Sequence, residues 1–317
     1  MSGAPVLVAP DKFKGTFTAA EAAAAIAAGL RDAGREAVEC PVADGGDGTA
    51  DALGAQRRPA RAFDPLGRDA EAWFGILEDG ETAVVEAAAA SGLWRLDEAE
   101  RDTWNASSAG TGQLIAAAIA YGARKVIVAC GGTATVDGGA GMMETLGTTS
   151  GVRFTAVCDV RTPWEEAPAL FGPQKGADRA TVTKLQHRLA SRAVKMRRDP
   201  LGVPMTGCGG GISGALWSEL GAELVSGPSY VLDALGFDGL MRASAFVVTG
   251  EGRLDETTLA GKAVAEVATR CRQAGVWCHA VVGEDRLDLF GRRVLDLASV
   301  QEARDPRALR RAGQELA

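Results

Sequence analysis

Short runs of Val, Ile and Ala recur along the chain, each ending in a glycine-rich or acidic loop, and most are followed by an alanine-rich helical pattern. That alternation is the signature of an α/β protein with mainly parallel strands. APVLVAP leads through DKFKG into TAAEAAAAIAAGLRDAG, where Thr18 and Glu21 are placed for a capping box and Gly34 for a C-cap. AVECPV runs into ADGGDGT. GTGQLIAAAIAYGA reads as a helix before the strand RKVIVAC, which enters GGTATVDGGAG, and RFTAVCDV, ASAFVVTGEGRLD and VWCHAVVGED repeat the order of strand then polar loop. In such sheets ligands collect at the carboxyl ends of the strands, where these loops lie.

A chain of 317 residues is long for one core, since domains usually hold ~100 to 200 residues. FDPLGRDAEAWFGILEDGETAVVE interrupts the strand and helix rhythm and reads as β-hairpin material, with turn signals at Pro65-Leu66-Gly67 and Asp79-Gly80. The chain is therefore expected to cross between domains near residue 64 and return near residue 232. Residues 1–64 and 232–317 would form a Rossmann-like or flavodoxin-like α/β domain, and residues 65–231 an inserted second α/β domain.

Composition narrows the partners. A net charge of -7 offers no general attraction to nucleic acid or anionic lipid. Apolar runs are broken by charge before the ~18 residues of a membrane span, and the N-terminus lacks a basic leader. The expectation is a soluble cytoplasmic protein. Cys40, Cys130, Cys158, Cys208, Cys271 and Cys278 are scattered without a C-x-x-C, which reads as buried reduced thiols rather than a zinc site or disulfide framework. Of two histidines, His187 is expected at the surface and His279 in the core.

Five loops carry candidate chemistry, each with a plainer alternative. In ADGGDGT, Asp44 and Asp47 either cap a helix start or face a metal ion or a reacting hydroxyl. APDKFKG offers Asp11, Lys12 and Lys14 after a strand, or a solvated turn. GGTATVDGGAG, with Gly131, Gly132, Thr133, Asp137, Gly138 and Gly139, suits either an anion or a tight connection. The same pair of readings applies to Gly209, Gly210 and Gly211 of TGCGGGISGAL. FGPQKGA positions Lys175 in a turn, and TGEGRLDETTLAGKA supplies Glu251, Arg253, Asp255 and Lys262. Glycine turns favour phosphate, yet the acids on the same loops would repel a polyphosphate unless a divalent cation or ammonium group lay between them. Mg²⁺ held by carboxylates and phosphate oxygens, assisted by Lys and Arg, is the arrangement of phosphoryl transfer. The P-loop pattern is missing: the one Gly-Lys pair, at Gly261, has no Ser or Thr after it.

APDKFKG, ADGGDGT, AGTGQLI, GGTATVDGGAG, FGPQKGA and TGEGRLDETTLAGK stand in the order found in the bacterial type I glycerate kinases, which the chain resembles from residue 5 to about residue 283. The resemblance implies ATP-dependent phosphorylation of D-glycerate to 2-phosphoglycerate with Mg²⁺, in a two-domain α/β enzyme whose site lies between the domains. It carries Asp11, Lys14, Asp44, Asp47, Asp137, Lys175, Glu251, Arg253 and Asp255 onto the family motifs, with Lys12 where Ser is usual and Asp47 where Glu is usual. Asp44 and Asp137 are the two candidates for the base that accepts the hydroxyl proton, with Lys175 and Arg253 beside them in catalysis. Asp11, Lys14, Lys262 and the loop glycines fall to substrate and phosphate binding, and Asp47, Glu251 and Asp255 to the metal. The segment after Gly147 is shorter than is usual in the family. Expected partners are glycerate and ATP, with neither nucleic acid nor membrane, and a homodimer is the candidate assembly. The competing readings are a metal-dependent phosphate-ester hydrolase and a ligand-binding relative without turnover.

Overall fold

The computed structural model describes residues 3–259 and 261–317. Its strands, in chain order, are β1 (Val6–Pro10), β2 (Ala37–Glu39), β3 (Gln56–Phe63), β4 (Asp69–Ile76), β5 (Thr82–Glu86), β6 (Lys125–Ala129), β7 (Arg153–Cys158), β8 (Glu223–Ser226), β9 (Phe246–Leu254), β10 (Cys278–Asp285) and β11 (Ser299–Glu302). They fall into two compact units, residues 3–44 with residues 228–317, and Gly45–Gly227. The crossing comes after Asp44 rather than near residue 64. The reason is β3, which pairs antiparallel with β4 along its whole length and so takes the intervening chain into the second unit. Pro59 and the arginines of QRRPARAF disguise this strand in the sequence. Proline is tolerated there because β3 is the edge of its sheet, where a missing N–H leaves no central ladder bond unmade.

The first unit is a five-stranded sheet in the order β11-β10-β9-β1-β2, parallel throughout. Side chains of a strand alternate between faces, so Val6 and Val8 enter one core with Ile26, Leu30 and Leu309, while Leu7 and Ala9 enter the other with Val247, Val264 and Val267. Every residue of β1 is buried, which explains its unbroken apolar run. The helix Ala19–Asp32 starts at the Thr18–Glu21 capping box, as the spacing predicts. Its C-cap is Ala33, one residue before the expected Gly34, which follows with φ +83.

The second unit is a six-stranded sheet, β3-β4-β5-β6-β7-β8, antiparallel from β3 to β5 and parallel from β5 to β8. The expected turns are present, with Gly67 at φ +82 and Gly80 at φ +70. Trp164 is completely buried and donates its indole N–H to the Leu189 carbonyl. Three glycines give way to its ring: an added side-chain carbon at Gly138, Gly211 or Gly214 would come within 2.8, 2.9 and 2.6 Å of it.

All six cysteines are free and buried. His187 is exposed, as expected. His279 is only half-buried and meets the Ser299 hydroxyl at 2.8 Å. It lies in β10 beside the edge strand β11, so a strand that looks central by its apolar run leaves this ring partly open. Among the described residues no helix is long and apolar enough to cross a membrane.

Candidate active site

In the first unit the chemistry gathers at the carboxyl ends of β9, β1 and β2, three neighbours in one parallel sheet. Asp11 directly follows β1, is buried, and accepts the Lys12 backbone N–H at 2.7 Å. The Lys12 ammonium meets Asp44 Oδ1 at 3.2 Å. Glu251, in β9, accepts the Thr258 hydroxyl at 2.6 Å and has Lys262 Nζ at 3.9 Å. Close approach of these elements depends on glycine. An added carbon at Gly250 would strike the Val281 carbonyl oxygen, and one at Gly252 would lie 3.0 Å from the Lys14 nitrogen.

Burial first, then the proximity of Asp44 and Glu251, raises the Asp11 carboxyl to about 7 against the pull of Lys12. Burial likewise raises Glu251 to about 7, with Asp255 and Asp44 adding to it and Thr258 and Lys262 opposing. Asp11 and Glu251 thus share a site with Asp44 where positive charge is short, and both are raised to about 7. Such a set of hard oxygen donors fits a small divalent cation. Other predicted residues stand at the margin: Lys14 is exposed, Arg253 pairs with Glu284 at 3.1 Å, and Asp255 accepts the Thr257 N–H and hydroxyl within its own turn.

In the second unit the ends of β5, β6 and β7 carry the other cluster. Glu86 closes β5, is buried, and accepts the N–H groups of Gly48 and Ala50 at 3.0 and 2.9 Å. It thereby fixes the turn that holds Asp47. Burial, reinforced by Asp47 and Asp51, raises Glu86 to about 7. Gly132 is exposed with φ +76, and an added carbon there would lie 3.2 Å from Asp47 Oδ2. At Gly131 the same carbon would lie 2.7 Å from Asp159 Oδ2. Lys175 is buried, with its ammonium donating to the Thr135 carbonyl at 2.8 Å and the Thr133 hydroxyl at 3.2 Å. Desolvation lowers it to about 8, opposed by the negative potential of Cys208, Asp159 and Asp137.

Asp137 does something else. Its Oδ2 accepts the Ser108 N–H at 2.9 Å, the Ser108 hydroxyl at 2.7 Å and the Gly141 N–H at 3.1 Å, while Oδ1 accepts the Gly139 N–H at 3.0 Å. A carboxylate so engaged pins its loop and has little capacity left to take a substrate proton. Replacing Asp137 with Asn puts an NH₂ where acceptors are required. We expect a loss of roughly 2–4 kcal/mol in unfolding free energy, measured by urea denaturation; a residue acting only as a base would leave stability unchanged. The glycines behind it are structural as well. Gly138, Gly139, Gly209, Gly210 and Gly211 are all buried, and the Gly138 N–H bonds the Gly210 carbonyl at 3.0 Å. Gly210 has φ +66 and no room for a side chain against the Thr135 carbonyl. Gly210→Ala is expected to cost more than about 2 kcal/mol by the same measurement.

A cavity of ≈ 320 Å³ in this unit is lined by Asp137, Arg188, Arg192 and Lys195 among others. Arg188 and Arg192 donate from its wall to the carbonyls of Val136 and Gly138, so these cations brace the same loop. The sequence-predicted residues therefore separate into two groups. Asp11, Lys12, Asp44, Glu251 and Lys262 meet in the first unit, and Asp47, Gly131, Gly132, Thr133 and Lys175 are ordered around one set of strand ends in the second. Glu86 and Asp159 escaped the sequence reading. Each is an acid standing where a buried strand ends, the same signal that exposed Asp11.

Mainly parallel α/β units with carboxylates and a buried lysine at strand ends, and no P-loop, are compatible with phosphoryl transfer. The chain belongs to the Glycerate kinase family, whose sequence profile matches residues 6–150 and 148–306. The two matched pieces overlap at residues 148–150, just after Gly147. A glycerate 2-kinase of Escherichia coli is 37% identical, over 83% of this chain and 81% of that protein. A glycerate kinase of Halalkalibacterium halodurans is 34% identical, over 88% and 85% respectively. A crystal structure from Salmonella typhimurium LT2, assigned as glycerate kinase 2, superposes with a TM-score of 0.83 at 29% identity, covering 99% of this chain and 97% of that one.

Proposed function

We propose that this protein transfers the γ-phosphoryl group of ATP to the 2-hydroxyl of D-glycerate, in the cytoplasm. The observation that carries the reading is the convergence of Asp11, Asp44 and Glu251 with Lys12 and Lys262 in a chain of this family. Glu251 is the residue that would hold Mg²⁺, with Asp11 beside it and Asp255 as a further carboxylate for the metal. Bound there, Mg²⁺ supplies neutralisation of phosphate charge. Asp44, whose side chain is 15% exposed and paired with Lys12, is the proposed base; Asp137 is bonded by its own loop and Ser108. The ammonium of Lys175 is assigned to the phosphoryl group in transfer and Arg253 to the substrate carboxylate. Exposed Gly132, with Thr133 after it, is assigned to phosphate oxygens, and Lys14 adds positive charge from its exposed loop.

A coupled assay of ADP formation across small hydroxy acids tests the assignment. Turnover with D-glycerate well above the rate with no acceptor is the expected result. Equal phosphate release in the absence of any hydroxy acid would make the protein a hydrolase, and nucleotide binding without turnover of any acid would make it a binding protein.

A further inference from the structure

Three thiols from distant stretches of the second unit converge. Cys130 directly follows β6 and Cys158 ends β7. These strands are parallel neighbours with Ala129 opposite Val157, so the two cysteines stand side by side, and the Cys130 N–H bonds the Val157 carbonyl at 2.9 Å. Cys208 joins them from the turn Cys208–Gly210. All three are buried, and their sulfurs lie within 4.8 Å of one another. Sulfurs sharing a tetrahedral zinc at ~2.3 Å are about 3.8 Å apart, so closure asks for movements of about 1 Å. An oxygen donor lies next to this group: Asp159 Oδ1 is 3.1 Å from the Cys208 sulfur.

We propose that Cys130, Cys158, Cys208 and Asp159 bind one thiophilic divalent cation of the zinc class. Three sulfurs and one oxygen in this arrangement match the ligand number and softness such ions select, whereas Mg²⁺ prefers oxygen sets. On binding, three S–H bonds break, three metal–sulfur bonds form and three protons pass to solvent, with no change of oxidation state.

The test uses the full chain, reduced and stripped of metal. Zn²⁺ is measured by equilibrium dialysis, and Co²⁺ serves as the spectroscopic probe of thiolate ligation. The expected result is one tight equivalent per chain with thiolate-to-cobalt charge transfer. It should be retained when Cys40, Cys271 and Cys278 are all replaced by Ser, and weakened more than about 100-fold, beyond an outer-shell effect, in Cys130→Ser. Cys208→Ser provides a second variant should the first fail to fold. Retention of tight binding in either folded variant, its loss in the triple variant, or absence of cobalt–thiolate absorption in the unmodified protein overturns the proposal.

Discussion

Lys175→Met is expected to lower kcat/KM with ATP and glycerate by about 100- to 1,000-fold, the usual cost of removing one preorganised charge-stabilising group, while leaving thermal stability nearly unchanged. The separation follows from the environment of the ammonium. Burial disfavours its charged form and lowers its pKa from 10.5 to about 8; removing it relieves a penalty of up to roughly 3 kcal/mol near neutrality. Against this stands the loss of the bonds to Thr133 and Thr135, about 1–3 kcal/mol. The pH dependence supplies a check. A folded pKa below the unfolded one means that the unfolded chain binds more protons above pH ~8, so the native protein gains stability relative to the variant as pH rises through that range. Denaturation curves at several pH values, alongside steady-state kinetics, measure both effects. A variant that loses activity only in proportion to a lost fold would assign Lys175 to structure.

The second large effect concerns Asp11. Its folded pKa of about 7 exceeds the model-peptide 3.8, so the native state retains a proton that the unfolded chain gives up. The associated stability is complete below pH ~4 and is lost as pH rises through ~7. In protein freed of divalent cations, Asp11→Asn is therefore expected to be more stable than the parent by roughly 2–4 kcal/mol at pH 8 and about equal to it near pH 4. Activity should be abolished or nearly so. Urea titrations at the two pH values measure this, and a variant less stable at pH 8 would show that Asp11 is not crowded by like charge. Functional sites commonly carry such local instability, since a preorganised charge set is kept at a cost to the fold.

The central parallel strands β1 and β6 were legible because they are buried and so appear as uninterrupted apolar runs. The glycine and acidic loops were legible because parallel topology places them at one end of each sheet. β3 was not: Pro59 and its arginines satisfy the rules for a loop, and only pairing with β4 makes them a strand. Asp137 looked catalytic because it stands among glycines in a loop after a buried strand. In the structure it is held by Ser108, which is remote in sequence and bonds it through both backbone and hydroxyl. Similarly, Gly209, Gly210 and Gly211 suggested an anion, but their freedom is used for packing on Trp164, Thr135 and Cys130. Glu86 and Asp159 were available to inspection as acids at strand ends. The thiol cluster was hidden because adjacency of β6 and β7, not spacing along the chain, unites its members.

Phosphorus NMR of a reaction containing the purified protein, Mg-ATP and D-glycerate tests the whole account most directly. The expected product is a single new phosphomonoester, coupled to the proton on C2 of glycerate and formed in step with ADP. Inorganic phosphate accumulating at the same rate whether or not glycerate is present, or an ester located on C3, would contradict it.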